Sequence, residues 1–142
     1  MSALGSLPPS VQVSFDDDHR RMTVVIEGQA GGRQVQGALR NVFEQRPEVT
    51  GFDYLFDLRS YRGDVSAGDL DPVAEIYASV RGECANGTRT AFITSDPLFG
   101  LWATAMNYQF PGRGHAAFPE AELAEEFLVE PRSARVASRT ES

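Results

Sequence analysis

Residues 54–70, Tyr-Leu-Phe-Asp-Leu-Arg-Ser-Tyr-Arg-Gly-Asp-Val-Ser-Ala-Gly-Asp-Leu, constrain this chain more than any other stretch. They begin as a short apolar and aromatic strand ending at Asp57 and Leu58. They then cross a polar loop and reach Ser66, three residues before Asp69. A serine at that spacing from an acidic residue, ahead of an apolar helical pattern, is the arrangement of an N-terminal capping box. A buried strand that feeds a helix through a polar loop is the building unit of an open α/β sheet. In such sheets, ligands and modifications collect beyond the carboxyl ends of the strands.

The rest of the chain repeats this alternation. Residues 11–15 alternate apolar and polar, as a half-buried strand does, and 22–27 form a second apolar run across a charged turn, so an antiparallel hairpin is expected. The Gly-rich stretch 28–32 breaks the second strand. Val35, Leu39, Val42 and Phe43 recur at helical spacing within 33–46, and Pro47 ends that helix. A second helix is predicted over about 67–83 with Leu70, Val73, Ala74, Tyr77 and Val80 inward, closed by Asn86-Gly87. Residues 89–94 read as a fourth strand. Pro97 is expected at the first position of a third helix whose apolar face is Leu98, Leu101, Trp102, Ala105 and Met106. Residues 115–118 read as a fifth strand. Pro119 opens a last helix with Leu123, Ala124, Phe127 and Leu128 inward. The order β-β-α-β-α-β-α-β-α predicts an α/β fold: a mixed sheet of about five strands with four helices, an N-terminal hairpin and then β-α repeats joined by right-handed crossovers. Residues 1–10 are expected to be a flexible leader, 11–130 one domain, and 131–142 a disordered tail.

Composition removes several classes of function. The net charge of −7 opposes nonspecific nucleic-acid binding and docking on anionic lipid. No apolar run is long enough to span a bilayer. The absence of lysine excludes Schiff-base and P-loop lysine chemistry. Cys84 is the only cysteine, so no internal disulfide forms. With no basic, apolar leader at the N-terminus, a cytoplasmic protein is expected. Cys84 itself reads as a small apolar helix residue.

No catalytic constellation stands out, and the chain is read as a non-enzyme that needs no cofactor. There is no Gly-x-Ser-x-Gly elbow. The glycines at 28, 31 and 32 have the spacing Gly-x-x-Gly-Gly rather than the dinucleotide fingerprint, and read as a turn. Asp16, Asp17, Asp18 and His19 read as an exposed hairpin tip, and His115 has no partner at metal-ligand spacing, so no metal site is expected. Trp102, Tyr108 and Phe110 read as core residues, or as a partner surface if the third helix is under-covered.

The strand ending Ile26-Glu-Gly28, the strand Leu55-Phe-Asp-Leu58, Ser66-Ala-Gly68 at a helix start and the closing Glu122-Leu-Ala-Glu-Glu-Phe-Leu128 resemble the STAS domains of bacterial anti-sigma-factor antagonists, the SpoIIAA-like proteins, over residues 11–129. The resemblance implies a regulatory, protein-binding module. Family members carry Asp-Ser-x-Gly at the start of the second helix, with the serine phosphorylated by an anti-sigma kinase. The matching segment here is Asp64-Val-Ser-Ala-Gly68, with Val65 inserted, which makes Ser66 the candidate phosphoacceptor. The same hydroxyl has a plain role as a helix cap. The fold is also similar to the lipid-carrying CRAL-TRIO domain. That likeness implies an alternative: a binder of a small apolar or anionic ligand, with Tyr61 and third-helix aromatics lining a pocket and Arg59 anchoring an anion. Candidate ligand or partner contacts are Gly28, Arg59, Tyr61, Arg62, Ser95 and Asp96, all on loops that follow strands. A protein partner is expected, and a homodimer is compatible with the sequence.

Overall fold

Met22, Val24 and Ile26 alternate with partly exposed neighbours along one strand, which commits that strand to a sheet with one face sealed by helices. The computed structural model describes residues 9–131 and 135. Strand β1 (Ser10–Asp16) pairs antiparallel with β2 (Arg21–Glu27), from Ser10 opposite Glu27 to Asp16 opposite Arg21. Strands β3 (Asp53–Asp57), β4 (Thr88–Ile93) and β5 (Arg113–Phe118) add in parallel, so spatial order follows chain order, β1 to β5. Helices α1 (Gly32–Gln45), α2 (Asp71–Val80), α3 (Phe99–Gln109) and α4 (Ala121–Val129) complete the mixed α/β arrangement.

The two sheet faces are unequal. Met22, Val24, Ile26, Tyr54, Phe56 and Phe92 pack with α1, α2 and α3 into the main core. Ala91 and Ile93, the alternate residues of β4, face the other way and pack with Ala124 and Leu128 of α4. Aromatic rings extend through the main core: Phe43 meets Tyr77 edge-on at 5.6 Å, and Tyr77 meets Phe110 at 5.4 Å. In α1 the four residues at helical spacing, Val35, Leu39, Val42 and Phe43, are its buried residues.

Several elements differ in detail from the sequence reading. The second helix is two pieces: a 3-10 turn, Ala67–Leu70, then α2, because Pro72 suits only the first turn of a fresh α-helix. Helix α2 stops at Val80, where Arg81 turns extended. Cys84 therefore lies exposed in a separate 3-10 turn, and Gly87 (φ 84°) turns the chain into β4 instead of ending the helix. Pro97 precedes the third helix rather than opening it, since the Asp96 carboxylate accepts the Leu98 N–H and holds the chain in a turn (2.9 Å). Helix α3 turns Ala103, Met106 and Phe110 inward, while Leu98, Leu101, Ala105 and Tyr108 face solvent. Leu123 of α4 is also exposed. The rest of the expected 1–10 leader (residues 1–8), and all of the 131–142 tail except 131 and 135, lie outside the described residues.

Candidate functional site

The loops after β2, β3 and β4 share the carboxyl edge of the parallel strands. Gly28, at φ 66°, forms a parallel bridge with Tyr61. Its N–H donates to the Ser60 carbonyl (2.9 Å), and its carbonyl accepts from the Arg62 N–H (2.7 Å). The Tyr61 hydroxyl accepts the Val65 N–H at 2.7 Å, and partial burial raises that phenol's pKa. Gly63 is packed where a Cβ would stand 2.5 Å from the Tyr61 ring and 2.6 Å from the Ala30 carbonyl oxygen. This loop is thus clamped at both ends, and the clamp brings Gly28, Tyr61 and Arg62 together.

Ser66 is exposed and caps the 3-10 turn that leads into α2. The Asp69 N–H donates to Ser66 Oγ (3.3 Å), and the Ser66 N–H donates to Asp69 Oδ2 (2.9 Å), completing the capping box. Asp69 also reaches a second helix. A Cβ on Gly32, the first residue of α1, would stand 2.6 Å from the Asp69 carboxyl carbon. Helix α1 has no side-chain cap and no acidic residue in its first turn. One carboxylate therefore supplies negative charge to two adjoining helix starts.

The arginines of the loop are engaged elsewhere. Arg59 Nε and Nη2 form a bidentate pair with Asp57 Oδ1 (2.9 Å) and Oδ2 (2.7 Å). That guanidinium, chiefly through its hydrogen bonds, holds the Asp57 carboxyl below its usual range. Arg62 Nη1 donates to the Tyr61 carbonyl (2.9 Å). Ser95 and Asp96 occupy the next loop, where the Thr94 hydroxyl accepts the Asp96 N–H (3.2 Å).

Beneath this edge, between the sheet and helices α1 to α3, lies an apolar cavity of about 60 Å³. Tyr61, Phe92, Phe99, Trp102 and Met106 are among its walls, and Arg113 closes part of it. Arg113 is buried, its guanidinium 3.6 Å from the centre of the Tyr54 ring. Its N–H groups donate to the carbonyls of Thr50 (2.8 Å), Phe52 (2.8 Å) and Arg89 (3.3 Å), and to the hydroxyls of Tyr77 and Thr90. A guanidinium offers five donors, and these partners use them, so Arg113 has none left for an anion in the cavity. His115 stacks on Phe92, and its Nδ1 lies 2.9 Å from Asn107 Oδ1. Desolvation, with the Arg113 charge second, drives its pKa down to about 3.

The sequence reading identified the loop and the cap but missed Arg113 and Arg135. Arg113 lies between Gly112 and Gly114 and reads as a turn residue. Its isolation between two glycines at the start of an apolar run was the only local signal. Arg135 lies in the expected tail, yet it is buried and forms a bidentate ion pair with Asp53 (2.8 and 3.0 Å). No group of His, Cys, Asp and Glu among the described residues is arranged to hold a metal ion, and no described helix is long and apolar enough to cross a membrane.

No protein-family model matches this chain, and no curated protein matches it. Solved structures do. An uncharacterised protein with a SpoIIAA-like fold from Shewanella loihica aligns over 84% of this chain and 92% of its own, at 14% identity and a TM-score of 0.55. An anti-sigma factor antagonist from Mycobacterium paratuberculosis aligns over 88% of this chain and 99% of its own, at 16% identity and a TM-score of 0.51. At these identities the likeness shows the fold alone: the chain's mixed five-stranded sheet with four helices has the SpoIIAA-like fold.

Proposed function

We propose that this protein is a non-enzymatic regulatory module that binds a protein partner through the loops at the carboxyl edge of its sheet. Ser66 is the residue that switches it. The observation that carries this reading is the exposed Ser66 hydroxyl inside a capping box whose Asp69 carboxylate also serves α1. A phosphate on Ser66 adds a charge of about −2 beside that carboxylate. Repulsion then separates the reciprocal bonds and alters the start of both helices. The fold shared with a protein described as an anti-sigma factor antagonist supports the partner-binding part of the reading. Gly28, Arg59, Tyr61, Arg62, Ser95 and Asp96 supply the contact surface. Because Arg59 and Arg62 are internally bonded, the switch works by repulsion rather than by an arginine clamp.

The test is quantitative crosslinking capture from the source cells with wild type, Ser66→Ala and Ser66→Asp. A partner held by wild type and by Ser66→Ala, and weakened at least about tenfold by Ser66→Asp, is expected. Equal capture by all three variants would sink the switch. A second reading, a carrier of a small apolar molecule, is favoured by the cavity beside Tyr61, Phe99 and Trp102. Its anionic version is disfavoured: Arg59 is not in the cavity wall, and Arg113 is saturated.

A further inference from the structure

Helix α3 is apolar on two opposite sides. Ala103 and Met106 face the core, with Phe99 and Trp102 packed against it. On the other side, Leu98, Leu101, Ala105 and Tyr108 fall at spacings of three, four and three, which places them in one stripe. They are exposed; Leu98 is 69%, Leu101 74% and Tyr108 85% accessible. Two leucines and a tyrosine in one solvent-facing seam are more than scattered surface hydrophobes.

Three observations say what covers the stripe. First, the chain carries a net charge of −7, yet α3 contains no Asp, Glu, Arg or His. Two acidic copies repel each other over most of their surfaces, and an uncharged helix is where they meet at least cost. The same acidity opposes an anionic bilayer as the occupant. Second, the stripe is its own complement. A two-fold axis crossing α3 at the level of Ala103 brings Leu98 opposite Tyr108 of a second copy, and Leu101 opposite its Ala105. Large then meets small at the centre, as isologous helix pairing requires. Third, Thr104, exposed beside Leu101 and Tyr108 at spacings of three and four, is small, and small side chains at a seam let two backbones approach.

We infer that α3 is a homodimerisation helix, pairing antiparallel with α3 of a second copy through Leu98, Leu101, Ala105 and Tyr108. Tyr108 and the two leucines supply roughly 300 Å² per protomer toward the about 800 Å² of a standard interface, so the dimer is of modest affinity and depends on these side chains. This surface is distinct from the Ser66 loop and stands whether or not that loop switches.

Sedimentation equilibrium of the full chain over a wide concentration range tests it. Wild type is expected to show a reversible monomer–dimer equilibrium. Leu101→Glu and Ala105→Arg, each checked for unchanged circular dichroism and melting temperature, should each weaken it at least about thirtyfold. Mixing the two variants should restore a dimer, because the carboxylate introduced in one copy then faces the guanidinium introduced in the other. A wild type that stays monomeric at millimolar concentration overturns the proposal. A dimer insensitive to both variants, or a mixture that fails to reassociate, also overturns it. If the monomer's Tyr108 becomes more accessible when residues 1–8 are deleted, the stripe is covered by the chain's own N-terminus and the proposal is likewise overturned.

Discussion

His115 shows how one side chain acquires a property from its surroundings. Its ring is stacked on Phe92, beside the Arg113 charge, and is driven to a pKa of about 3. The unfolded chain returns it to about 6.5. Between these values the unfolded state binds a proton that the folded state refuses. The stabilising contribution of neutral His115 is complete above about pH 6.5 and is lost as pH falls toward 3. Unfolding midpoints in urea should therefore decline from pH 7 to pH 4, and His115→Gln should flatten that decline. A variant with the same slope as wild type would show that other groups carry it. Arg113 makes the complementary point. A buried cation is tolerable here because an aromatic face and five polar acceptors replace its water.

Elements differ in how much of their environment is local. Strand β2 and helix α1 were legible in the sequence because each has one buried face and a clean period, two for β2 and close to 3.6 for α1. The Ser66 cap was legible because both of its partners lie within four residues of chain. Helix α3 was misread because apolar residues on two opposite faces do not indicate which one is inside. The cavity was legible only in part: a pocket beside Tyr61 and third-helix aromatics was implied by resemblance, but its other walls come from separate strands and from helices α1 and α2, and no local pattern encodes that meeting. Since α3 and its ring pair Phe99–Trp102 form part of that wall, a small apolar guest should stabilise the fold. Xenon under pressure, a guest small enough for a space of about 60 Å³, is expected to raise the melting temperature and shift Trp102 fluorescence. No change in either would remove the carrier reading.

At the scale of the molecule, Arg135 is tied to the amino end of the parallel strands. Arg135 pairs bidentately with Asp53 at the start of β3 and also donates to the carbonyls of Gly87 and Leu128. The ion pair spans 82 residues of sequence and is almost fully enclosed. Arg135→Ala leaves the carboxylate buried without this partner and should cost about 3 kcal/mol or more in denaturant unfolding. Asp53→Ala/Arg135→Ala together should cost less than the sum of the single changes. A cost near zero for Arg135→Ala would mean the contact contributes little.

The carboxylate of Asp69 makes residues 32 and 66 neighbours in consequence as well as in space. Were Ser66 phosphorylated as proposed, the effect would not stay in its own helix: the opening turn of α1, more than thirty positions earlier in the chain, would feel the displacement of its counter-charge at the same moment. A reader of that mark need never touch the marked residue. It would sense the change through the first turn of α1 instead.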